Sequence, residues 1–286
     1  MTEETKAEIT KLLDHSPKRV YRTGELGKLL SENRANWKSV AHWSQPKFIR
    51  FLVEQTPLSQ VTLESEHYSD EKRYIWREAT EYELALSFRH GAYLTHATAI
   101  FLHGLNDEIP GTVYVNHEQS PKPRGGTLTQ ESIDRAFKSP QRLSKYVFRH
   151  GLKKILVING KHTGRLGVIQ RTGPAEEHLE VTNVERTLID SAVRPAYAGG
   201  IFQVLEAFKR ARQVVSVETI VATLKQLDYV YPYHQAIGFY MEKAGYDEAS
   251  LLKLENLGIK FDFYASYGLK KTMHHKRWRL FYPQGL

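Results

Sequence analysis

Thr95-His96-Ala97-Thr98-Ala99-Ile100-Phe101-Leu102-His103-Gly104-Leu105 and, much later, Val181-Thr182-Asn183-Val184-Glu185-Arg186-Thr187-Leu188-Ile189-Asp190 decide how the larger part of the chain is read. Each looks like the opening of a helix. Thr95 is a candidate N-cap, small residues follow, Ile100, Leu102 and Leu105 supply apolar positions, and Gly104 marks the stop. Thr182 and Glu185 have the T-x-x-E spacing of a capping box, in which hydroxyl and carboxylate satisfy unpaired N–H groups. Arg186 and Asp190 lie one helical turn apart, as an ion pair requires. That pair reads either as plain helix stabilisation, about a kcal/mol or less, or as an anchor from Arg186 to a neighbouring strand or loop.

Outward from these stretches, 286 residues are enough for two domains, and 41% hydrophobic and 11% aromatic content describes an ordered globular chain. The absence of cysteine excludes disulfides, thiolate metal sites and cysteine nucleophiles, and suits a reducing cytoplasm. No apolar run reaches a membrane span, and the polar opening Met1-Thr2-Glu3-Glu4 does not read as a signal peptide. A soluble cytoplasmic protein is expected.

The net charge of +8 is unevenly spread: +1 over residues 1–79, +2 over 80–190 and +5 over 191–286. Between Arg135 and Ala175 stand Arg135, Lys138, Arg142, Lys145, Arg149, Lys153, Lys154, Lys161, Arg165 and Arg171, with no acid. After Asp262 come Lys270, Lys271, Lys276, Arg277 and Arg279, again with none. Such stripes meet phosphate or are simply solvated faces.

The first eighty residues read helix, helix, helix, hairpin. Residues 4–13, 24–31 and 44–55 carry helical apolar spacing, with Thr23 as a cap, Ser44 and Pro46 opening the third helix and Pro57 ending it. Residues 60–63 and 73–77 alternate as strands around a polar connection. That order predicts a winged helix-turn-helix over residues 1–79. The span 32–43 is longer than the minimal motif and calls for a further short helix or a loop packed by Trp37 and Trp43.

In the third helix Phe48, Ile49, Phe51 and Leu52 form the buried stripe, leaving Ser44, Gln45, Lys47 and Arg50 outside. A recognition helix presents such side chains to base edges and phosphates, although an ordinary amphipathic helix has the same pattern. His67, Tyr68, Lys72 and Arg73 mark the wing, among four acids. A connecting helix is expected over 80–92. A mixed α/β domain follows over 93–286, with strands at 112–115 and 154–158, and with 164–170 and 179–181 as candidate neighbours of the 154–158 strand. An exposed loop spans 119–127 with Lys122 and Arg124. The second half is helical: 184–193, 201–212, 217–227, 233–244 and 248–257, with closing strands near 261–263 and 277–282. The fold class is thus α+β.

Catalytic patterns are missing. His96 and His103 are seven apart, not the three or four of a helical metal pair, and no H-E-x-x-H occurs. No phosphate-cradling glycine pattern and no G-x-S-x-G elbow is present. Neither a metal, a cofactor nor enzymatic activity is expected.

Taken in order, the helix of residues 95–105, the strand of 112–115 and the E-R-T-L-I-D helix opening at 185–190 resemble the core of the AbiEi-type antitoxins, over roughly residues 90–245. Thr95, His96, His103, Gly104, Glu185, Arg186 and Asp190 carry the resemblance. It implies a transcriptional autorepressor binding inverted repeats in operator DNA, and an antitoxin of a type IV toxin–antitoxin (abortive infection) system. Its C-terminal domain would counter a nucleotidyltransferase-like toxin, with or without direct contact. The recognition helix would read bases, while Arg135, Lys138, Arg142, Lys145, Arg149, Lys153 and Lys154 would hold the DNA backbone. The alternatives are a module that neutralises an acidic protein partner directly, or a nucleic-acid-processing enzyme.

Overall fold

A computed structural model describes residues 2–122 and 126–286; Arg124 of the expected exposed loop lies outside them. The chain begins α1 (Glu3–His15), β1 (Val20–Tyr21), α2 (Thr23–Asn33), α3 (Gln45–Gln55), β2 (Leu58–Leu63) and β3 (Glu71–Trp76). The three strands form a sheet in the order β1-β3-β2, with β3 antiparallel to both neighbours. Ile9 and Leu13 from α1, Leu26 and Leu30 from α2, Phe48 and Leu52 from α3, and Trp76 make one core. The long span before α3 holds a 3-10 turn at Lys38–Val40, and buried Trp37 stacks on Phe48 at 6.0 Å.

There follow α4 (Glu81–Leu86), β4 (Tyr93–Leu94), α5 (His96–Leu102), β5 (Thr112–Glu118), α6 (Gln130–Lys138), β6 (Val147–His150), β7 (Lys153–Gly160), β8 (Val168–Thr172) and β9 (His178–Thr182). The helical half is α7 (Val184–Val193), α8 (Ile201–Ala211), α9 (Val217–Leu227), α10 (Tyr233–Lys243) and α11 (Glu248–Glu255). The small strands β10 (Phe263–Tyr264), β11 (Thr272–His275) and β12 (Leu280–Pro283) close the chain as a sheet ordered β10-β12-β11. The architecture is mixed α/β, with eleven α-helices and three sheets among the described residues.

The central six-stranded sheet runs β6-β7-β5-β4-β9-β8, with β5/β7 and β4/β9 parallel. The expectation that 164–170 and 179–181 flank the 154–158 strand is corrected: β5 and β6 flank β7, while β9 and β8 lie beyond β4. Ile155-Leu156-Val157-Ile158 is buried throughout because both faces of β7 are covered. Ile155 and Val157, with Val113 and Val115 of β5, face a core that also takes in Leu63 and Ile75 of the N-terminal hairpin and Phe88 beyond α4. One apolar core therefore crosses the 80–92 connection. Leu156 and Ile158 point the other way, onto Tyr197.

Helix ends follow their sequence signals unevenly. Gly104, at φ 68°, accommodates a left-handed turn in which Leu105 N–H reaches Ile100 O (3.0 Å) and Gly104 N–H reaches Phe101 O (2.9 Å), closing α5. At α7 the expected box on Thr182 gives way to Asn183, whose side chain accepts from Arg186 N–H at 2.9 Å. Thr182 is still in β9, and Glu185 instead accepts from Ser216 N–H at the start of α9.

Gly238 of α10 faces buried Trp278, and a methyl group there would lie within 3.0 Å of the indole ring. Gly238→Ala is expected to lower stability by about 1–3 kcal/mol through overpacking, against roughly 1 kcal/mol of gained helix propensity. Gly24→Ala, where nothing lies within 4 Å, serves as the control. Urea midpoints for the two variants check this, with a loss expected at Gly238 alone.

Candidate functional site

The exposed side of α3 begins at Ser44, the N-cap residue, and carries Lys47 and Arg50. Neither cation has an ion-pair partner among the described residues; Lys47 Nζ rests 4.6 Å from the Trp43 ring. Gln45, expected among the base readers, is engaged within the fold. Its amide nitrogen donates to Thr23 O at 2.7 Å and its side chain fills the space over Gly27, so it locks α3 onto α2. Arg34 holds the preceding loop by donating to the carbonyls of Ala41 and Trp43.

The hairpin is not a free wing. Its tip docks on the edge strand of the central sheet: Arg149 N–H donates to Glu64 O (2.8 Å) and Glu64 N–H to Arg149 O (3.1 Å). Ser65 Oγ donates to Val147 O at 2.9 Å, Arg149 pairs with Glu66 at 2.6 Å, and Tyr68 meets Tyr146 edge-on at 4.8 Å. Arg73 is the clearest correction among the wing residues. It is 2% exposed, pairs with Glu71 at 2.6 Å and donates to Ser87 Oγ at 2.9 Å, so it joins the hairpin to the end of α4 and reaches no external phosphate. Glu71 also accepts from Tyr146 at 2.8 Å, and Arg73 and Tyr146 hold its carboxyl below the usual range. Tyr68 is half-exposed, and His67 and Lys72 remain on the surface.

The basic stripe, continuous in sequence, separates in space. Arg135 and Lys138 occupy the last turn of α6. Arg142 and Lys145 precede β6, Arg149 lies on β6 directly opposite Lys154, and Lys153 opens β7. Arg149 is spent on Glu66, Arg165 pairs with Glu180 at 2.7 Å, and Arg171 sits on β8 at the other edge of the sheet. The basic tail is likewise neutralised in part: Arg277 pairs with Glu248 and Glu255, and Arg279 with Asp262. Arg142, Lys145 and Lys154 remain exposed beside a cleft of about 570 Å³ between the hairpin and β6; Lys145 and Lys154 line it.

The stretches that opened the sequence reading meet in a buried polar hub. Arg186 Nε donates to Asp190 at 2.7 Å, and Nη1 donates to Leu166 O at 2.9 Å. The ion pair and the loop anchor are therefore one arrangement. Thr95 sits at the N-cap position of α5, but its hydroxyl donates to Asp190 at 3.2 Å instead of capping. Thr95 Oγ1 also lies 3.1 Å from His96 Nδ1. His103 bonds Thr182 O at 2.7 Å, tying the end of α5 to β9. Burial pulls His96 down to about 4 and lowers His103, so both are neutral imidazoles near neutrality. His96 also takes a left-handed φ of 51°, held by this network.

Sequence reasoning missed Tyr93, Asn116, Glu118 and Thr163, which extend the hub. Asn116 donates to Tyr93 Oη at 2.7 Å, and Glu118 accepts from Thr163, Gly164 and Arg165 backbone N–H groups at 2.9–3.1 Å. Asn116 and Glu118 are polar residues at alternate positions where the apolar Val113-Tyr114-Val115 part of β5 gives way to Asn116-His117-Glu118, and that change was the available signal.

Two outcomes follow. Arg186→Met leaves Asp190 buried without its partner and should destabilise by about 3–5 kcal/mol, much of it recovered in Arg186→Met/Asp190→Leu; chemical denaturation of both checks this. For His96, the unfolded ring titrates near 6.5 and the folded one near 4. The unfolded chain therefore binds the extra proton in that window, and stability is full above it and falls as pH drops through it, by up to about 3 kcal/mol. His96→Gln should flatten the urea midpoint across the window. An unchanged slope would assign the loss to His103 and His234, which burial shifts in the same sense.

No family model and no curated protein sequence matches the chain. No helix among the described residues is long and apolar enough to cross a membrane, and no group of three or more histidine or acidic side chains is placed to hold a metal there. Among solved structures, the crystal structure of RV2827C protein from Mycobacterium tuberculosis superposes with a TM-score of 0.56 at 12% identity, covering 97% of this chain and 91% of that one. The likeness extends along nearly the whole chain and is one of fold.

Proposed function

We propose that the chain is a DNA-binding transcriptional regulator whose N-terminal unit acts as a winged helix-turn-helix. The observation that carries the reading is the presentation of Lys47 and Arg50, both exposed and free of ion pairs among the described residues, on the third helix of an α1-β1-α2-α3-β2-β3 unit with sheet order β1-β3-β2. Arg can pair with a purine edge in the major groove, while Ser44 and Lys47 at the helix start suit phosphate. Arg142, Lys145 and Lys154 would add backbone contacts beside the docked hairpin. By resemblance of residues 95–105 and 181–190 to the AbiEi-type family, the proposal extends to autorepression at inverted repeats. It extends also to antitoxin action against a nucleotidyltransferase-like toxin.

A second reading has a specific observation behind it. Leu152 is 101% exposed and Leu143 is 51% exposed beside Lys145 and Lys154. An apolar and basic surface of this kind also suits an acidic protein partner.

Titration of DNA upstream of the chain's own gene against a scrambled duplex tests the first reading. Arg50→Ala should lose about 1–3 kcal/mol of preference for the upstream duplex if it makes a paired base contact. Lys145→Gln/Lys154→Gln should reduce the salt slope by about one per lost phosphate contact, with preference unchanged. Equal binding to both duplexes removes the regulator; an unchanged salt slope leaves the sheet edge to the protein partner.

A further inference from the structure

Apart from the surfaces proposed to face DNA, the polar hub lines a small cavity. An inner chamber of about 60 Å³ is walled in part by His96, Asn116, Arg186, Asp190 and Tyr229. At roughly 10–15 Å³ per water it holds a few waters or one small polar group. It shares Lys161, Val193, Arg194 and Tyr229 with an outer cleft of about 630 Å³. That volume falls within the roughly 300–1,000 Å³ of small-molecule pockets. Tyr229, Tyr231 and Tyr233 present rings along the cleft.

The chamber is chemically unfinished. His96 is 5% exposed, and among the described residues its Nε2 has no hydrogen-bond partner. With the Thr95 hydroxyl giving its one proton to Asp190, the matching tautomer has His96 Nδ1–H donating to Thr95 Oγ1 and Nε2 as an acceptor. A buried polar atom without a partner is uncommon and unfavourable. Arg186 and Asp190 neutralise one another, and Lys161 donates to the carbonyls of Leu227 and Asp228. Arg194 lies 6.0 Å from the Tyr197 ring and has no ion pair among the described residues. With Arg186 and Asp190 cancelling, Lys122, Lys161 and Arg194 outnumber Asp228 among the charged side chains lining chamber and cleft, so the local charge is positive.

We propose that this cavity binds a small planar-ring oxyanion, a carboxylate or a phosphate monoester. Its ring lies against the tyrosines, its anionic group sits on Arg194, and a hydroxyl or amino group donates to His96 Nε2. The aromatic walls supply contact area and stacking, and the buried histidine supplies selection for a donor. The neutral state of His96 fits an acceptor role. The proposal does not depend on DNA binding.

The test is titration of the full chain, with ¹⁵N-labelled histidine, using adenosine 5′-monophosphate, salicylate, adenosine and inorganic phosphate. The expected result is saturable binding of the monophosphate or of salicylate, which distinguishes a phosphate from a carboxylate ligand, with a shift of the His96 Nε2 resonance. Adenosine and inorganic phosphate should bind at least about tenfold more weakly, as should the ring-bearing anion to Arg194→Gln, with partial recovery in Arg194→Lys. A folded Arg194→Gln that keeps full affinity overturns the site. So does binding that leaves His96 unmoved, phosphate binding as tight as the monophosphate, or no saturable binding by any probe.

Discussion

The Arg186–Asp190 pair is the constraint around which the second part of the chain is organised. Both side chains are buried, at 4% and 6% exposure, so their charges have left water and must be satisfied by protein. Arg186 also donates to Leu166 O, and Asp190 accepts from Thr95. Three segments distant in sequence, the start of α5, the turn before β8 and α7, are thereby fixed to one another. Buried pairs of this kind often add little net stability over a well-packed apolar substitute. Their effect here is positional: α7 can rotate neither toward the sheet nor toward α8, α9 and α10 without stranding a charge.

A second constraint acts at the other face of the sheet. The hairpin tip makes two backbone hydrogen bonds to Arg149, and its apolar residues enter the core under the sheet. Burying Leu63 and Ile75 against Phe148 and Ile155 makes a flexible tether between the two parts unfavourable. On the DNA-binding reading, α3 and the β6 edge therefore present a fixed frame. A duplex touching both must conform to that frame, and any bend needed to do so is drawn from the DNA's own deformability.

Legibility in the sequence tracked the range of the forces involved. The long helices followed from apolar spacing of 3.6 residues, and β7 from a continuous apolar run. The two-residue strands β1 and β4 are too short to show any period, yet β4 sits in the middle of the central sheet. Strand order is non-local and had no local signature. Arg73 was read as exposed because alternation assigns one face of a hairpin to water. Arg73, Tyr74, Ile75 and Trp76 are all buried, because α4 and the sheet cover the side that alternation left open. Gln45 looked free because its engagement depends on the missing side chain of Gly27 on another helix. The polar hub was half legible: its two helices were visible, whereas the contributions of Asn116 and Glu118 depended on β5 lying beside them.

Charge shows the same limit most sharply. A run of cations with no acid between them looks like a continuous positive face only if the acids elsewhere in the chain stay elsewhere. Folding brings Glu66 to Arg149, Glu180 to Arg165, Glu248 and Glu255 to Arg277, and Asp262 to Arg279. A cation already paired to a carboxylate has little condensed anion to exchange, and it must give up its partner before it can neutralise a phosphate. The electrostatic drive toward a polyanion comes from counterions released at the phosphates by cations still free to approach them. On the DNA-binding reading, the cations that count are therefore the exposed, unpaired ones placed together, Lys47 and Arg50 on α3 and Arg142, Lys145 and Lys154 beside β6, and not the net charge of +8 as a whole. It is their placement on a rigid frame, more than the length of the basic stripe, that sets what this surface can hold.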